Sequence, residues 1–162
     1  MNKQELCELF RYDDATGRLF WRRSGKGRNF GVPAGAINSL GYAQIVISGR
    51  IYLAHRLVWL MHYGSWPAGM IDHINGDRAD NRLSNLRDVT PSQNRQNLRK
   101  AQANNRAGLL GAYVGGKRYR HPWKSTISVD GRETYLGHFA TKEEAHAAYV
   151  AAKRKLHSHS AI

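Results

Sequence analysis

The hydrophobic period changes abruptly near residue 54, and this change limits the possible fold more than any other feature of the chain. Apolar residues alternate with their neighbours over 43–48, a turn follows at Ser48-Gly49-Arg50, and 51–53 completes a predicted β-hairpin. From His55 to Tyr63 the apolar side chains recur at helical spacing instead, and Gly64 ends the predicted helix. Strand and helix therefore follow each other directly, which predicts a mixed α and β fold.

The middle of the chain predicts two short strands followed by a helix. Met70–His73 has a strand pattern and runs into a turn signal at Asn75-Gly76-Asp77. Asn85–Val89 is a possible second strand after the intervening loop. Thr90 is a good N-cap for a helix that continues from Ser92 to about Lys100. Strand, loop, strand and helix are thus predicted within about thirty residues.

The C-terminal third predicts a separate sheet and helix, and the helix should begin at a capping box formed by Thr141 and Glu144. The predicted elements are about Leu109–Val114, Trp123–Val129, Thr134–Phe139 and Lys142–His157. The helix should bury a face of small and apolar residues, namely Ala145, Ala148, Tyr149, Ala152 and Leu156.

The whole chain is predicted to form two domains. The first forty residues predict only short strands and turns, and 101–108 carries almost no side chain that could anchor a core. The predicted organisation is a first domain at 1–100, a linker at 101–108, a second domain at 109–157 and a frayed tail at 158–162.

The charge of the chain indicates a polyanionic partner. Lysine and arginine number 25 against 12 acidic residues, a formal net charge of +13, and the excess is spread over both halves. The one cysteine, Cys7, excludes an intramolecular disulfide and a multi-cysteine zinc cage. No apolar run is long enough for a membrane span, and the first residues do not resemble a signal peptide. We therefore expect a soluble, intracellular, cytoplasmic protein that binds nucleic acid and no membrane.

Asp72 and His73 are the first candidates for chemistry, because they are neighbours at the end of a predicted strand. Their side chains point to opposite faces of an extended strand, but they can converge where the chain turns at Asn75-Gly76. Asp72 could bind a divalent cation while His73 deprotonates a water molecule that attacks a phosphodiester. The alternative is an aspartate that caps a turn beside a surface histidine.

Several polar segments follow this pair along the chain, and together they favour the catalytic alternative. The segments are Asp72-His73-Ile74-Asn75-Gly76-Asp77, Asp80-Asn81-Arg82, Ser84-Asn85-Leu86-Arg87 and Asn94-Arg95-Gln96-Asn97. With Gly41-Tyr42 and 55–59 upstream, the chain resembles the HNH family of ββα-metal nucleases, in its homing-endonuclease-like branch, over about residues 10–100.

The resemblance implies a role for each matching residue. His73 matches the general base and Asn85 the asparagine that braces the loop carrying it, while Asp72 and Asn94 match the metal ligands. These hard oxygen ligands suit Mg²⁺, with Mn²⁺ as a second possibility, and no structural zinc is expected. Asn97, one turn beyond Asn94, is a possible additional contributor. His55 either lies near the site and contacts DNA phosphate or packs at the start of its helix.

The C-terminal segment resembles a second family. Its pattern of 123–127, Asp130-Gly131-Arg132, 135–139 and 141–149 is similar to the APETALA-type (ethylene response factor) DNA-binding domain, which also occurs fused to HNH nucleases. The two resemblances imply an α+β protein: an N-terminal ββα-metal nuclease domain with an added β-hairpin region, then a three-stranded antiparallel sheet packed on one helix. The residues predicted to contact DNA from this sheet are Arg118, Arg120, Lys124, Arg132 and Tyr135.

Three functions fit these patterns. The first is a metal-dependent, homing-like endonuclease that hydrolyses phosphodiester bonds of double-stranded DNA at a target read partly by the C-terminal sheet. The second is a DNA-binding regulator or recombination accessory with an inactive HNH motif. The third, an RNA-binding protein, leaves the predicted metal residues without a purpose. Whether the protein is a monomer or a dimer, and whether it cuts one strand or two, stay open.

Overall fold

The chain divides into two compact units, Met1–Thr90 and Pro91–Ile162. Both units contain helices and small antiparallel sheets, which confirms the predicted α+β class. The division falls near residue 90, and the predicted linker at 101–108 lies inside the second unit. The computed structural model describes residues 1–25, 28–116, 120–129, 131–157 and 160, so the predicted frayed tail lies outside the described residues except for Ser160. None of the described helices is long and apolar enough to cross a membrane.

The first unit combines two helices with three small sheets in its described part. Its elements are α1 (Lys3–Leu9), β1 (Phe10–Asp13), β2 (Arg18–Trp21), β3 (Ala36–Ile37), β4 (Ala43–Ile47), β5 (Arg50–Leu53), α2 (Ala54–Tyr63), β6 (Met70–His73), a 3-10 turn (Leu83–Asn85) and β7 (Leu86–Val89). β1 pairs with β2, β3, β4 and β5 form one sheet in that order, and β6 pairs with β7. All of these pairs are antiparallel.

Helix α1 corrects the prediction of only strands and turns in the first forty residues. The Asn2 side chain accepts from the Glu5 N–H at 2.9 Å, and the Glu5 carboxylate accepts from the Asn2 N–H at 3.0 Å. This capping box satisfies two backbone donors at the helix start. Leu6 is fully buried on the inner side of the helix. A seven-residue helix with one buried side chain shows too little hydrophobic periodicity to be predicted from the sequence.

The core of the first unit joins its N-terminal elements to α2. The rings of Phe10 and Trp21 lie 4.5 Å apart between centroids. Helix α2 ends at Gly64, which has φ +79°, as the sequence predicts. The buried apolar residues of this core are Leu6, Phe10, Leu19, Trp21, Ile45, Ile47, Ala54, Leu57, Val58, Leu60, Ile71 and Leu86. The strand pair β6–β7 is therefore attached to the same core through Ile71 and Leu86.

The second unit contains one sheet and two helices among its described residues. Its elements are α3 (Pro91–Gln96), β8 (Ala112–Val114), β9 (Trp123–Val129), β10 (Arg132–Phe139) and α4 (Lys142–Leu156). The sheet is antiparallel with the order β10–β9–β8, and α4 packs on one of its faces. A small core of Ala107, Ala112 and Ala145, with Trp123 and Phe139 packed against it, lies between helix and sheet.

Two helices differ from their predictions. Helix α3 ends at Gln96 rather than near Lys100, and the next two N–H groups bond to carbonyls three residues back, as in a closing turn. Helix α4 buries Lys153 instead of Leu156, which is 46% exposed. The Lys153 ammonium donates to the Leu98 carbonyl, so a hydrogen bond compensates for its burial.

Candidate active site

The strand pair β6–β7 holds both residues of the predicted catalytic pair. Asp72 lies opposite Arg87 and His73 lies opposite Leu86 in the antiparallel register. Both Nε and Nη2 of Arg87 donate to Oδ2 of Asp72, at 2.8 and 2.7 Å. The Asp72 side chain is 8% exposed, so this is a largely buried ion pair. A charge-assisted, two-donor contact of this kind fixes the orientation of the carboxylate.

His73 is buried and in contact with Asn81, a residue to which the sequence assigns no role. Nε2 of His73 lies 3.0 Å from Oδ1 of Asn81, and Asn81 is only 3% exposed. The Asp80-Asn81-Arg82 segment follows Asp72 and His73 closely in sequence, but its spacing alone does not indicate which side chain turns inward. The burial of Asn81 just after the exposed stretch 75–79 is the signal that identifies it.

Asn85 connects the two ends of the loop between β6 and β7. Its Oδ1 accepts from the Asn75 N–H and its Nδ2 donates to the Asp80 carbonyl, both at 2.8 Å. Asp80 also accepts from Asn75 Nδ2 at 2.7 Å and forms an ion pair with Arg82 at 2.6 Å. Side-chain hydrogen bonds thus hold the loop at several points, and Asn85 supplies the contacts that span it.

Three aromatic rings lie together beside the strand pair. The rings of His55 and His73 are 5.1 Å apart and nearly perpendicular, and the Tyr42 ring lies 5.5 Å from His55 and 6.1 Å from His73. His55 is 4% exposed, and its Nδ1 has no hydrogen-bond partner within the described part of the chain. Burial, with smaller effects of His73 and Arg56, lowers the pKa of His55 to about 3. This burial favours packing beside His73 over contact with DNA phosphate.

The remaining metal candidates belong to the second unit. Asn94 is half-buried in α3, and the Asn97 N–H bonds to the Asn94 carbonyl at 3.1 Å, just after the helix. Within the described residues, no three histidine, cysteine, aspartate or glutamate side chains form a cluster that could hold a metal ion. One protein carboxylate with amide oxygen and water suits a hard ion such as Mg²⁺ and does not suit tetrahedral zinc.

The predicted DNA-contacting residues fall at different places on the second unit. Strand alternation and pairing place Lys124 and Tyr135 on the sheet face opposite α4, where Lys124 lies 3.6 Å from Glu133. Arg132, the first residue of β10, pairs with Val129 and lies on the other face of the sheet, and Arg120 is exposed before β9. Arg118 lies outside the described residues.

Two kinds of comparison with known proteins bear on this site. Residues 52–96 match the family model for HNH endonuclease, a segment that includes α2, β6, the loop and β7. The chain is also 34% identical over 80 residues to Protein 3.8 of Escherichia phage T7, an alignment that covers 49% of this chain and 64% of that protein.

A second relative is YosQ, an SPbeta prophage-derived protein of Bacillus subtilis (strain 168) that is provisionally described as an HNH homing endonuclease. The identity is 30% over 95 residues, covering 58% of this chain and 55% of that protein. The chain thus spans less than two thirds of the length of either relative. No solved structure matches the chain significantly. Over residues 52–96 the chain is therefore similar to HNH endonucleases.

Proposed function

We propose that the protein is a metal-dependent, homing-type endonuclease that hydrolyses double-stranded DNA inside a phage-infected or bacterial cell. One observation carries the proposal: a buried Asp72–His73 pair lies on a short strand pair within the segment that matches the HNH family. The +13 net charge is consistent with a DNA substrate. Both relatives come from phage or prophage genomes, which agrees with a mobile-element origin.

In this mechanism His73 accepts the proton of the attacking water as general base. Asp72 and Asn94 would hold Mg²⁺, or Mn²⁺, which when bound supplies charge stabilisation at the phosphate. Arg87 orients the Asp72 carboxylate through its two hydrogen bonds. Asn85 restrains the loop that follows His73 through its bonds to Asn75 and Asp80.

The second unit would read part of the target as an APETALA-like domain. Its three-stranded sheet with one packed helix agrees with that resemblance. Lys124 and Tyr135 would contact DNA from the face opposite α4, and the exposed Arg120 would contact phosphate. Arg118 and Arg132 complete the proposed set of contact residues.

Cleavage of a supercoiled plasmid tests the nuclease proposal. Wild-type protein should convert the plasmid to open-circle or linear DNA with Mg²⁺ and not with a chelator, and His73→Ala should abolish conversion while DNA affinity is kept. His62→Ala is the matched control, because His62 is an exposed histidine of α2. Full activity of His73→Ala would refute the general-base role. Binding without cleavage by the wild type, on plasmids that carry a range of candidate targets, would favour the regulator with an inactive motif.

A further inference from the structure

The β1–β2 hairpin contacts the loop between β6 and β7 at Asn81 and at the two residues that follow it. The Tyr12 hydroxyl donates to the Asn81 carbonyl at 3.2 Å and accepts from the Leu83 N–H at 3.1 Å. Gly17, with φ +70°, is buried in the turn of this hairpin, and a Cβ at this position would overlap the backbone nitrogen of Arg82. The hairpin therefore fixes the backbone around Asn81 by a hydrogen-bonded hydroxyl and by close packing.

The Asn81 side chain transmits this restraint to His73. Its Oδ1 lies 3.0 Å from Nε2 of His73, and both residues are more than nine-tenths buried. An amide oxygen can only accept a hydrogen bond, so this contact requires a proton on Nε2 of the imidazole. In a neutral imidazole with Nε2 protonated, the basic lone pair is on Nδ1.

We propose that Asn81 is a positioning residue that holds His73 in the Nε2-protonated tautomer, and that Tyr12 holds Asn81 in place. The inference rests on the proposed role of His73 as general base. It assigns the proton transfer from water to Nδ1, since Nε2 is already occupied by its own proton. It also makes the N-terminal hairpin part of the catalytic machinery, although Tyr12 lies outside the 52–96 segment that matches the HNH family.

The tautomer can be measured without metal, DNA or turnover. Nitrogen-15 NMR of the histidine rings, recorded above the ordinary pKa of histidine, distinguishes a protonated from an unprotonated ring nitrogen. The signals of His73 are assigned by their loss in His73→Gln. Wild type should show a proton on Nε2 of His73. Asn81→Leu, which removes the acceptor at similar size, should give a mixture of tautomers, and Asn81→Asp, which keeps an oxygen there, should retain the wild-type tautomer.

Kinetics provide the second readout. Asn81→Leu and Tyr12→Phe should each lower kcat, by roughly 10- to 100-fold for the asparagine, with KM for DNA little changed. Tyr63→Phe is the control for loss of a tyrosine hydroxyl, because Tyr63 is 55% exposed at the end of α2. A purely structural role would lower thermal stability and leave both the tautomer and kcat of the folded protein unchanged.

The possible outcomes separate this inference from the nuclease proposal. A proton on Nδ1 of His73 in the wild type overturns the inference, even if the enzyme cleaves DNA normally. An unchanged tautomer in Asn81→Leu overturns it as well. If Asn81→Leu does not fold, the wild-type tautomer and the kcat of Tyr12→Phe still test the inference. Failure of the wild type to cleave DNA, with the expected tautomer pattern, refutes the nuclease role and retains Asn81 as the residue that orients His73.

Discussion

Asp72 and Arg87 form a largely buried ion pair across β6 and β7, and breaking it should be costly. The Arg87→Met variant removes both hydrogen bonds of Arg87 from a carboxylate that is only 8% exposed. We expect a loss of about 2 to 4 kcal/mol in the free energy of unfolding, because a buried charge is expensive once its partner is removed. Urea denaturation of wild type and variant measures this loss.

A double-mutant cycle separates the pair from general packing effects. Asp72→Asn in the Arg87→Met background removes the buried charge that has lost Arg87, so the double variant should recover part of the lost stability. The exposed pair between Arg82 and Asp80 offers a comparison, because Arg82 is 48% exposed and exposed pairs contribute little. Additive effects of Asp72→Asn and Arg87→Met would show that the ion pair is not the source of the destabilisation.

His55 should make the stability of the protein depend on pH. Burial lowers its pKa in the folded protein to about 3, while the unfolded chain binds the proton below its ordinary pKa of about 6.5. The unfolded state therefore binds more protons between these values, and stability falls as the pH is lowered. The effect is at most about 1.4 kcal/mol per pH unit from pH 6.5 towards pH 3.

Denaturation at several pH values checks this dependence. The His55→Phe variant should lose stability less steeply than wild type in the same window, because the aromatic packing is kept and the titrating group is gone. His62→Phe replaces an exposed histidine of the same helix and should keep the wild-type slope. Identical slopes for wild type and His55→Phe would contradict the assignment.

In the connection that leads into β8, Gly111 is the position where a side chain would be least tolerated. Gly111 has φ +75°, and a Cβ there would overlap the ring of Tyr149 in α4. Gly108 has a similar φ of +70°, but a Cβ at Gly108 would have no described atom within 4 Å. Gly111→Ala should cost about 3 kcal/mol or more, and Gly108→Ala about 1 to 2 kcal/mol from backbone strain alone. Thermal unfolding of the two variants measures the difference, and equal losses would contradict it.

Elements with clear periodicity or caps were predictable from the sequence. β6 and β9 have the predicted bounds, α2 ends at the predicted Gly64, and α4 begins at the Thr141 capping box. α1 and the early end of α3 were not predictable, because each is decided by a few contacts rather than by a long apolar stripe. Among the candidate site residues, Asp72 and His73 are predicted from residue type and spacing, whereas the buried contact of Asn81 with His73 depends on how the loop closes.

A β-bulge shows why the composition of a sheet face is hard to predict. The pairing of β10 with β9 shifts between Tyr135 and Gly137, so strict alternation fails at this point. Tyr135 and His138 come to lie on the same face, with their rings 5.8 Å apart. Alternation alone places them on opposite faces, and the sequence therefore gives His138 no role beside Tyr135.

At the scale of the whole molecule, the charge of +13 should make DNA binding strongly dependent on salt. Each phosphate contact that is lost should reduce the slope of log affinity against log salt by about 0.9. We expect such a reduction for Arg120→Gln and Lys124→Gln if these side chains contact phosphate. DNA affinity measured at several salt concentrations tests this prediction. The control is Lys155→Gln, which replaces an exposed lysine of α4. Unchanged slopes in both sheet variants would exclude these contacts.

The shared core of the first unit limits how this protein could have been assembled in evolution. The segment matching the HNH family begins at residue 52, yet Leu57 and Leu60 of α2 share their core with Leu6 and Phe10. A fragment consisting of 52–96 alone would leave the apolar face of α2 uncovered and the loop between β6 and β7 without its two hydrogen bonds to Tyr12. To be transferred to another gene as a folded module, this segment would therefore need the preceding fifty or so residues as well.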